Sequence, residues 1–346
     1  MELSAVIRAG TIVIIALAVG WIFNLLQVPA GWLLGALLTG LFVGLTRSNV
    51  NYDGWPFKLA LSLVGANIGL LMNKELFGII GLYLGPLLIT LLLTLISGFF
   101  LGWLLFHWSK ILDKRTAFFC CIPGGASEII SVSSEYGADE RIVAAFHTAR
   151  ITLFVLCIPF VAGIWNNTNG NELTEVASYS LSYELILTFI VVMTLATVLN
   201  RLFKVPAGAL LYAIAMGFIF GEFVFQIERV PNYIGGIGQG LIGVMVGVRF
   251  DRETLVRLKR IGTVSISILS IYLGISFISG YVFWKLSDVT YIVGLLSVVP
   301  AGAAEMSATA FALELEPTLV ASLQIIRVIS IFVTLPLLIW LINKLR

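Results

Sequence analysis

Two glutamates, Glu128 and Glu305, each complete the spacing P-x-G-x-x-E: Pro123, Gly125, Glu128 and, 177 residues later, Pro300, Gly302, Glu305. Both stand in apolar surroundings, Ile122-Pro123-Gly124-Gly125-Ala126-Ser127-Glu128-Ile129 and Val299-Pro300-Ala301-Gly302-Ala303-Ala304-Glu305-Met306. Proline removes a backbone donor and glycine frees the backbone, so each segment reads as an interrupted helix. A carboxylate at hydrocarbon depth costs about 2.5–3.5 kcal/mol on insertion scales, and such groups in spans mark ion or solute paths. Each glutamate is followed 22 residues on by an arginine, Arg150 and Arg327. Such a set can bind a proton or cation at the carboxylate and an anion at the guanidinium. The plainer alternative is that Glu128 pairs with Arg150 and Glu305 with Arg327 to fasten each break, with no solute involved.

Further polar residues cluster around these sets. His147 lies one helical turn before Arg150 and could titrate near neutrality or pack by a hydrogen bond; its counterpart 177 residues on is Gln324. Ser127, Ser131, Ser307 and Thr309 flank the motifs, although such hydroxyls also bond their own helix backbone. Asn67 and Gln239 lie in glycine-rich runs that either line a cavity or simply pack. The helix N-termini expected after each Pro-Gly break suit an anion. The substrate or ion site read from the residues is therefore Pro123, Gly124, Gly125, Ser127, Glu128, His147 and Arg150 with Pro300, Gly302, Glu305, Ser307, Gln324 and Arg327. The chain has only two histidines, His107 and His147, in different segments, so neither a metal site nor an enzyme is expected, and no cofactor is implied.

The elements that must hold these residues are membrane helices. Of 346 residues, 59% are hydrophobic and 12% charged, and the mean hydropathy is +1.02, which no soluble globular average reaches. The first apolar run passes into a second without a small-residue cleavage site, so the first span is expected to be retained. Cys120 and Cys121 are adjacent and Cys157 sits in an apolar run, so no disulfide framework is expected. Basic residues are scattered among short connections, leaving no DNA-binding module and no nucleic-acid partner.

Apolar runs near 9–26, 28–46, 56–72, 77–106 and 142–164 can each cross about 30 Å of hydrocarbon as a helix. A second set follows near 183–200, 205–226, 232–248, 261–284 and 319–341. Anchors repeat at offsets of 177 or 178: Val28-Pro29-Ala30-Gly31 as Val205-Pro206-Ala207-Gly208, and Gly65, Gly69 and Glu75 as Gly243, Gly247 and Glu253. The chain is thus read as a membrane repeat over 1–165 with a hairpin at about 116–136, an external linker over 166–182, and a second repeat over 183–346 with a hairpin at about 290–314. Glycine pairs at small-xxx-small spacing, among them Gly40/Gly44, Gly65/Gly69 and Gly243/Gly247, permit close helix approach.

Charge decides orientation. With five crossings per repeat and re-entrant hairpins, Arg47, Arg141, Arg201, Lys204 and the cluster Arg249, Arg252, Arg257, Lys259, Arg260 face the cytoplasm, while Lys74, Arg229 and Lys285 fall outside. Both termini are then cytoplasmic, the linker is external, and the second repeat is inverted. Inverted repeats with interrupted helices are a recurring plan of secondary transporters.

The segment Pro123-Gly124-Gly125, then Tyr136-Gly137-Ala138-Asp139, then Arg150 after Ala144-Ala145-Phe146, resembles the bacterial AbrB family of membrane proteins over nearly the whole chain. Labels in that family include a regulator of gene expression and an ammonia monooxygenase, neither of which these residues support. The repeats and the resemblance together imply an all-α integral membrane protein with two inverted-topology repeats, each of five transmembrane helices plus one broken, re-entrant hairpin. The expected function is secondary active transport of a small solute, an organic anion, coupled to protons or sodium in the bacterial inner membrane. A non-transporting membrane sensor that affects gene expression indirectly is the alternative. The partners expected are the lipid bilayer, the solute and the coupling ion, and a homodimer is compatible with them.

Overall fold

The computed structural model describes residues 3–46, 50, 52–168, 182–205, 207–225 and 230–344. Arg47, Pro206, Arg229, Arg346 and nearly all of the 166–182 linker lie outside the described residues, as do the side chains of Ser127 and Glu128.

Every regular element among the described residues is helical. The first half holds α1 (Leu3–Leu25), α2 (Gly31–Thr46), α3 (Trp55–Leu70), α4 (Glu75–Ser109), the short pair α5 (Lys114–Cys121) and α6 (Ala126–Glu135), and α7 (Glu140–Thr168). The second holds α8 (Tyr183–Leu202), α9 (Gly208–Ile219, continued by a π turn over Phe220–Val224), α10 (Asn232–Arg249), α11 (Arg252–Ile261) and α12 (Thr263–Leu286). It ends with the short pair α13 (Tyr291–Val298) and α14 (Ala303–Ala312), followed by α15 (Pro317–Lys344).

Among the described residues all ten apolar runs are helices, but six are long and apolar enough to cross a membrane: α1, α4, α7, α8, α12 and α15. The 16 residues of α2 and of α3 rise about 24 Å, short of a hydrocarbon core of about 30 Å. The long helices turn bulky apolar side chains outward, as α4 does with Leu82, Leu88, Leu92 and Ile96. Water does not tolerate a face of that kind, and lipid does. The chain is a multi-pass membrane protein. The basic stretch after α10 is itself a helix, α11, bent 54° from α10 and started by Asp251, whose side chain accepts from the Thr254 N–H at 2.8 Å.

Two helix pairs form the centre, α2 on α10 and α3 on α9. Glycines let the backbones touch. A Cβ at Gly40 or Gly44 would strike the carbonyl of Val244 or Val248, and one at Gly243 or Gly247 the carbonyl of Leu33 or Leu37. On the second pair, Gly65 and Gly69 meet the carbonyls of Leu210 and Ile214. In hydrocarbon such close approach supplies the dispersion contact that the hydrophobic effect cannot. α10 is continuous, so Gln239 belongs to a regular helix. The turns into α2 and α9 are alike, with Ala30 at φ 50° and Ala207 at φ 52° in the left-handed region.

Candidate functional site

Pro123 and Pro300 end the first helix of each short pair, and each leaves one carbonyl without its donor. In an α-helix the N–H of residue i serves the carbonyl of i−4, so Pro123 abandons Phe119 and Pro300 abandons Leu296. The long helix that follows supplies the replacement. His147 Nε2 lies 2.9 Å from the Phe119 carbonyl, and Gln324 Nε2 donates to the Leu296 carbonyl at 2.5 Å and to that of Val299 at 3.2 Å.

The arginines complete these caps. Arg150 Nη1 donates to the Ile122 carbonyl at 3.3 Å, and its Nη2 meets His147 Nδ1 at 3.1 Å. A guanidinium can only donate, so Nδ1 accepts and Nε2 carries the imidazole proton toward Phe119. His147 is thereby held as one neutral tautomer. Arg327 Nη1 donates to the Val298 carbonyl at 2.7 Å and also to that of Val299. Cations at the C-terminal carbonyls of α5 and α13 also meet the negative end of each helix dipole. Both arginines are buried, at 1% and 4% exposure, and Arg150 lies 5.2 Å from the ring centre of Tyr272 on α12.

Glu305 is not paired with Arg327, since no ion pair within 4.0 Å joins them. It is 6% exposed and occupies the N3 position of α14, where its carboxylate fills the space that a Cβ on Gly302 would take. Gly302 has φ 104°, a left-handed value that glycine alone adopts freely. The carboxylate therefore lies over the N-terminal turn of its own helix, at the positive end of the dipole. Arg249 bears on Glu305 electrostatically. Nearby, Ser307 and Thr309 donate to the Ala303 and Glu305 carbonyls at 2.6 and 2.9 Å, so their hydroxyls serve their own helix.

The first break is more open than the second. Gly124 and Ala126 are half-buried where their counterparts Ala301 and Ala303 are buried, and Gly125 and Gly302 are half-buried alike. Ala126 and Ile130 of α6 form part of the wall of a cavity of about 630 Å³. α7 adds Arg141, Thr148 and Thr152, α3 adds Phe57 and Lys58, and α10 and α11 add Arg249 and Arg257. Two cations are engaged: Arg249 reaches Asp53 Oδ1 at 2.8 Å while stacking 4.0 Å over Phe57, and Arg257 bonds Glu253. Both pairs are partly exposed and contribute little to stability. Tyr52, also on the wall, donates to the Ala9 carbonyl at 2.8 Å, and burial pushes its phenol up to about 12.

The structure therefore gathers His147 and Arg150 around the first break and Gln324 and Arg327 around the second, beneath Pro123 and Pro300. Asn67 and Gln239 are buried at 3% exposure each and are not among the residues that wall this cavity. Sequence reasoning missed the cavity residues Asp53, Lys58, Thr148, Thr152 and Arg249. A signal was present: Thr148 and Thr152 are one turn apart on the helix that carries His147 and Arg150.

Buried polar side chains closing two interrupted helices, within a bundle of long apolar helices, define a polytopic helical membrane protein. A family model described as "Transition state regulatory protein AbrB" matches residues 32–343, and the chain belongs to the AbrB family. It is similar to "Putative regulator AbrB" of Escherichia coli (strain K12), 23% identical over 336 residues that cover 96% of this chain and 95% of that one. It is also similar to "Uncharacterized protein YhjN" of Bacillus subtilis (strain 168), 24% identical over 347 residues, covering 93% of this chain and 90% of that one.

Proposed function

We propose that the protein is a secondary active transporter of a small organic anion, driven by protons or sodium across the bacterial inner membrane. The observation that carries this reading is the cavity of about 630 Å³, walled by helices from both halves of the chain and by Ala126 at the first break. Its volume lies within the range of small-ligand sites. Its wall holds Lys58, Arg141, Arg249 and Arg257 against Asp53, Asp251 and Glu253, an excess of one positive charge that suits an anion.

The transporter architecture is two inverted repeats, each with five crossings and a re-entrant hairpin. Support for the hairpin comes from its two ends. Arg115 Nη1 donates to the Tyr136 carbonyl at 2.9 Å, and the Asp139 N–H donates to Thr116 Oγ1 at 2.9 Å. A segment that crossed the membrane would hold those ends apart. Support for the repeat comes from helix pairs that exchange under a shift of 177 residues: α2 on α10 with α9 on α3, α4 on α5 with α12 on α13, α6 on α7 with α14 on α15. Support for the inversion is that Asp53, ahead of α3, bonds Arg249, at the end of α10, and that Lys74, after α3, meets Glu222, beyond α9, at 3.9 Å, pairs whose members parallel six-span repeats would put on opposite faces.

In this reading the α14 N-terminus is occupied by the Glu305 carboxylate, and Ala126, at the start of α6, stands at the cavity wall. Binding of a proton or cation to Glu305 weakens its hold on the helix dipole, which makes Glu305 the coupling group of the second half.

The regulatory names of the family and of its Escherichia coli relative favour a second reading, a sensor that binds a metabolite and signals without moving it. Purified protein in proteoliposomes separates the two. A carrier accumulates above the external concentration the anion that stabilises it, when a proton or sodium gradient is imposed. Saturable binding with no accumulation under either gradient refutes transport and leaves the sensor.

A further inference from the structure

The cations on the cavity wall are not alike. Arg249 is held by Asp53 and Arg257 by Glu253, and the third wall carboxylate, Asp251, caps α11 by accepting from the Thr254 N–H. Lys58 and Arg141 remain. Both are exposed and line the cavity, and neither side chain has an ion pair or hydrogen bond among the described residues. They stand in the first turns of α3 and α7, two helices that each pack on α10. Thr148 adds a hydroxyl. Other helical threonines donate to the carbonyl three or four residues back, as Thr94, Thr188 and Thr309 do. Thr148 makes no such bond; it is half-buried, it lines the cavity, and its oxygen is not among the inaccessible ones. Arg141 and Thr148 are seven residues apart, two turns and about 10 Å along one face of α7, so the cations stand at the mouth and the hydroxyl further in.

Helix packing does not account for these residues. The shift of 177 that matches Pro123 with Pro300 and Arg150 with Arg327 turns Lys58 into Gly235, Arg141 into Thr318 and Thr148 into Ile325. Asp53 and Arg249 become Val230 and Met72 in the same way. A residue that both halves carry can serve the packing they share, as the arginine caps do, whereas charges carried by one half alone answer a demand on one side of the molecule. Much of the remaining wall is apolar, with Phe57, Ala144, Ile151 and Met245. Two unpaired cations on separate helices, with apolar surface nearby, suit a ligand whose two negative groups are joined by a short carbon body. A single carboxylate leaves one cation unserved. Inorganic phosphate is strongly hydrated throughout and loses that solvation against the apolar wall without repayment.

We propose that Lys58, Arg141 and Thr148 form a binding site for a small organic dicarboxylate. The proposal rests on the transport reading only for the ligand's fate; the binding step stands by itself. Arg141 offers its planar fork to one carboxylate and Lys58 a point charge to the other, and Thr148 donates to the part of the ligand that passes between them. Arg249 and Arg257 stay with Asp53 and Glu253 and do not need to be released.

The test uses full-length purified protein with succinate as probe and butyrate, succinamide and inorganic phosphate as comparisons, at neutral pH and constant ionic strength, read by saturable thermal stabilisation. Wild type is expected to be stabilised by succinate and not by the other three. Lys58→Gln and Arg141→Gln, which remove one charge each, and Thr148→Val, which keeps shape and removes the hydroxyl, are each expected to weaken succinate binding about tenfold. All three residues are exposed or half-buried, and the melting temperature without ligand shows that each variant is folded. Equal stabilisation by butyrate, succinamide or phosphate overturns the site, and so does unchanged succinate affinity in any folded variant of the three. Uptake into proteoliposomes separates the two claims. Another anion carried while succinate is neither bound nor carried refutes the site and keeps the transporter, whereas succinate bound through Lys58 and Arg141 but never accumulated keeps the site and refutes the transport reading.

Discussion

His147 gives Phe119 the hydrogen bond that Pro123 withholds, and the two residues meet at 2.9 Å. Gln324 does the same for Leu296 below Pro300. A shared task explains why two such different side chains occupy matching places: each has an N–H to donate, and neither needs a charge to do so. His147→Gln is therefore expected to change unfolding stability by less than about 1 kcal/mol, and His147→Ala to cost about 1–3 kcal/mol by leaving a buried carbonyl unserved. Thermal unfolding of the purified variants decides it. A large loss in the glutamine variant would show that the imidazole does something beyond this bond.

Arg327 is a cap and not the partner of Glu305. Arg327→Met is expected to lower stability by about 1–3 kcal/mol, because the Val298 carbonyl loses the arginine's hydrogen bond and that of Val299 keeps only its bonds from Gln324 and the Ala301 N–H. Glu305→Gln should not restore it, since the two residues form no ion pair. Recovery of folded yield in the double variant would contradict this geometry and restore the fastening ion pair.

Gly302 is required twice, for its φ of 104° and for the space filled by the Glu305 carboxylate. Gly302→Ala is expected to cost about 2 kcal/mol or more, of which about 1–2 kcal/mol is backbone strain. Adding Glu305→Ala should return only the part due to crowding. A double-variant cycle on melting temperature measures that coupling, and a coupling of zero would remove the carboxylate from this position.

Orientation can be read with a thiol reagent that does not cross membranes. After Cys120, Cys121 and Cys157 are replaced, a cysteine at Gly170 is expected to react in intact cells and one at Lys259 to remain unlabelled. The reverse pattern, or equal labelling, would eliminate the inverted arrangement and leave six crossings in each half.

Much of this was legible in the sequence, for physical reasons. Hydropathy marks where helices run, and all ten apolar runs are helical. Pro123 and Pro300 mark where helices stop, because no fold can return the missing N–H. The partners of Arg150 and Arg327 were not legible. Linear spacing brings each arginine near a glutamate, but the opposing demand comes from carbonyls 28 residues upstream, exposed only once the preceding helix has ended. The cavity was hidden for a related reason. Asp53 comes from the turn before α3, and Thr152 and Arg249 from two other helices, and no period in the chain announces that they meet.

The central claim, a carrier coupled through Glu305 and its counterpart Glu128, is tested most directly by comparing two rates in proteoliposomes holding Glu305→Gln. One is accumulation of the stabilising anion under a proton or sodium gradient, and the other is exchange of that anion at equal concentrations without a gradient. The variant keeps the size of the side chain and removes its titration, so accumulation is expected to fall by tenfold or more while exchange persists. A well-folded Glu128→Gln, Glu305→Gln double variant that accumulates the anion as wild type does would contradict the account.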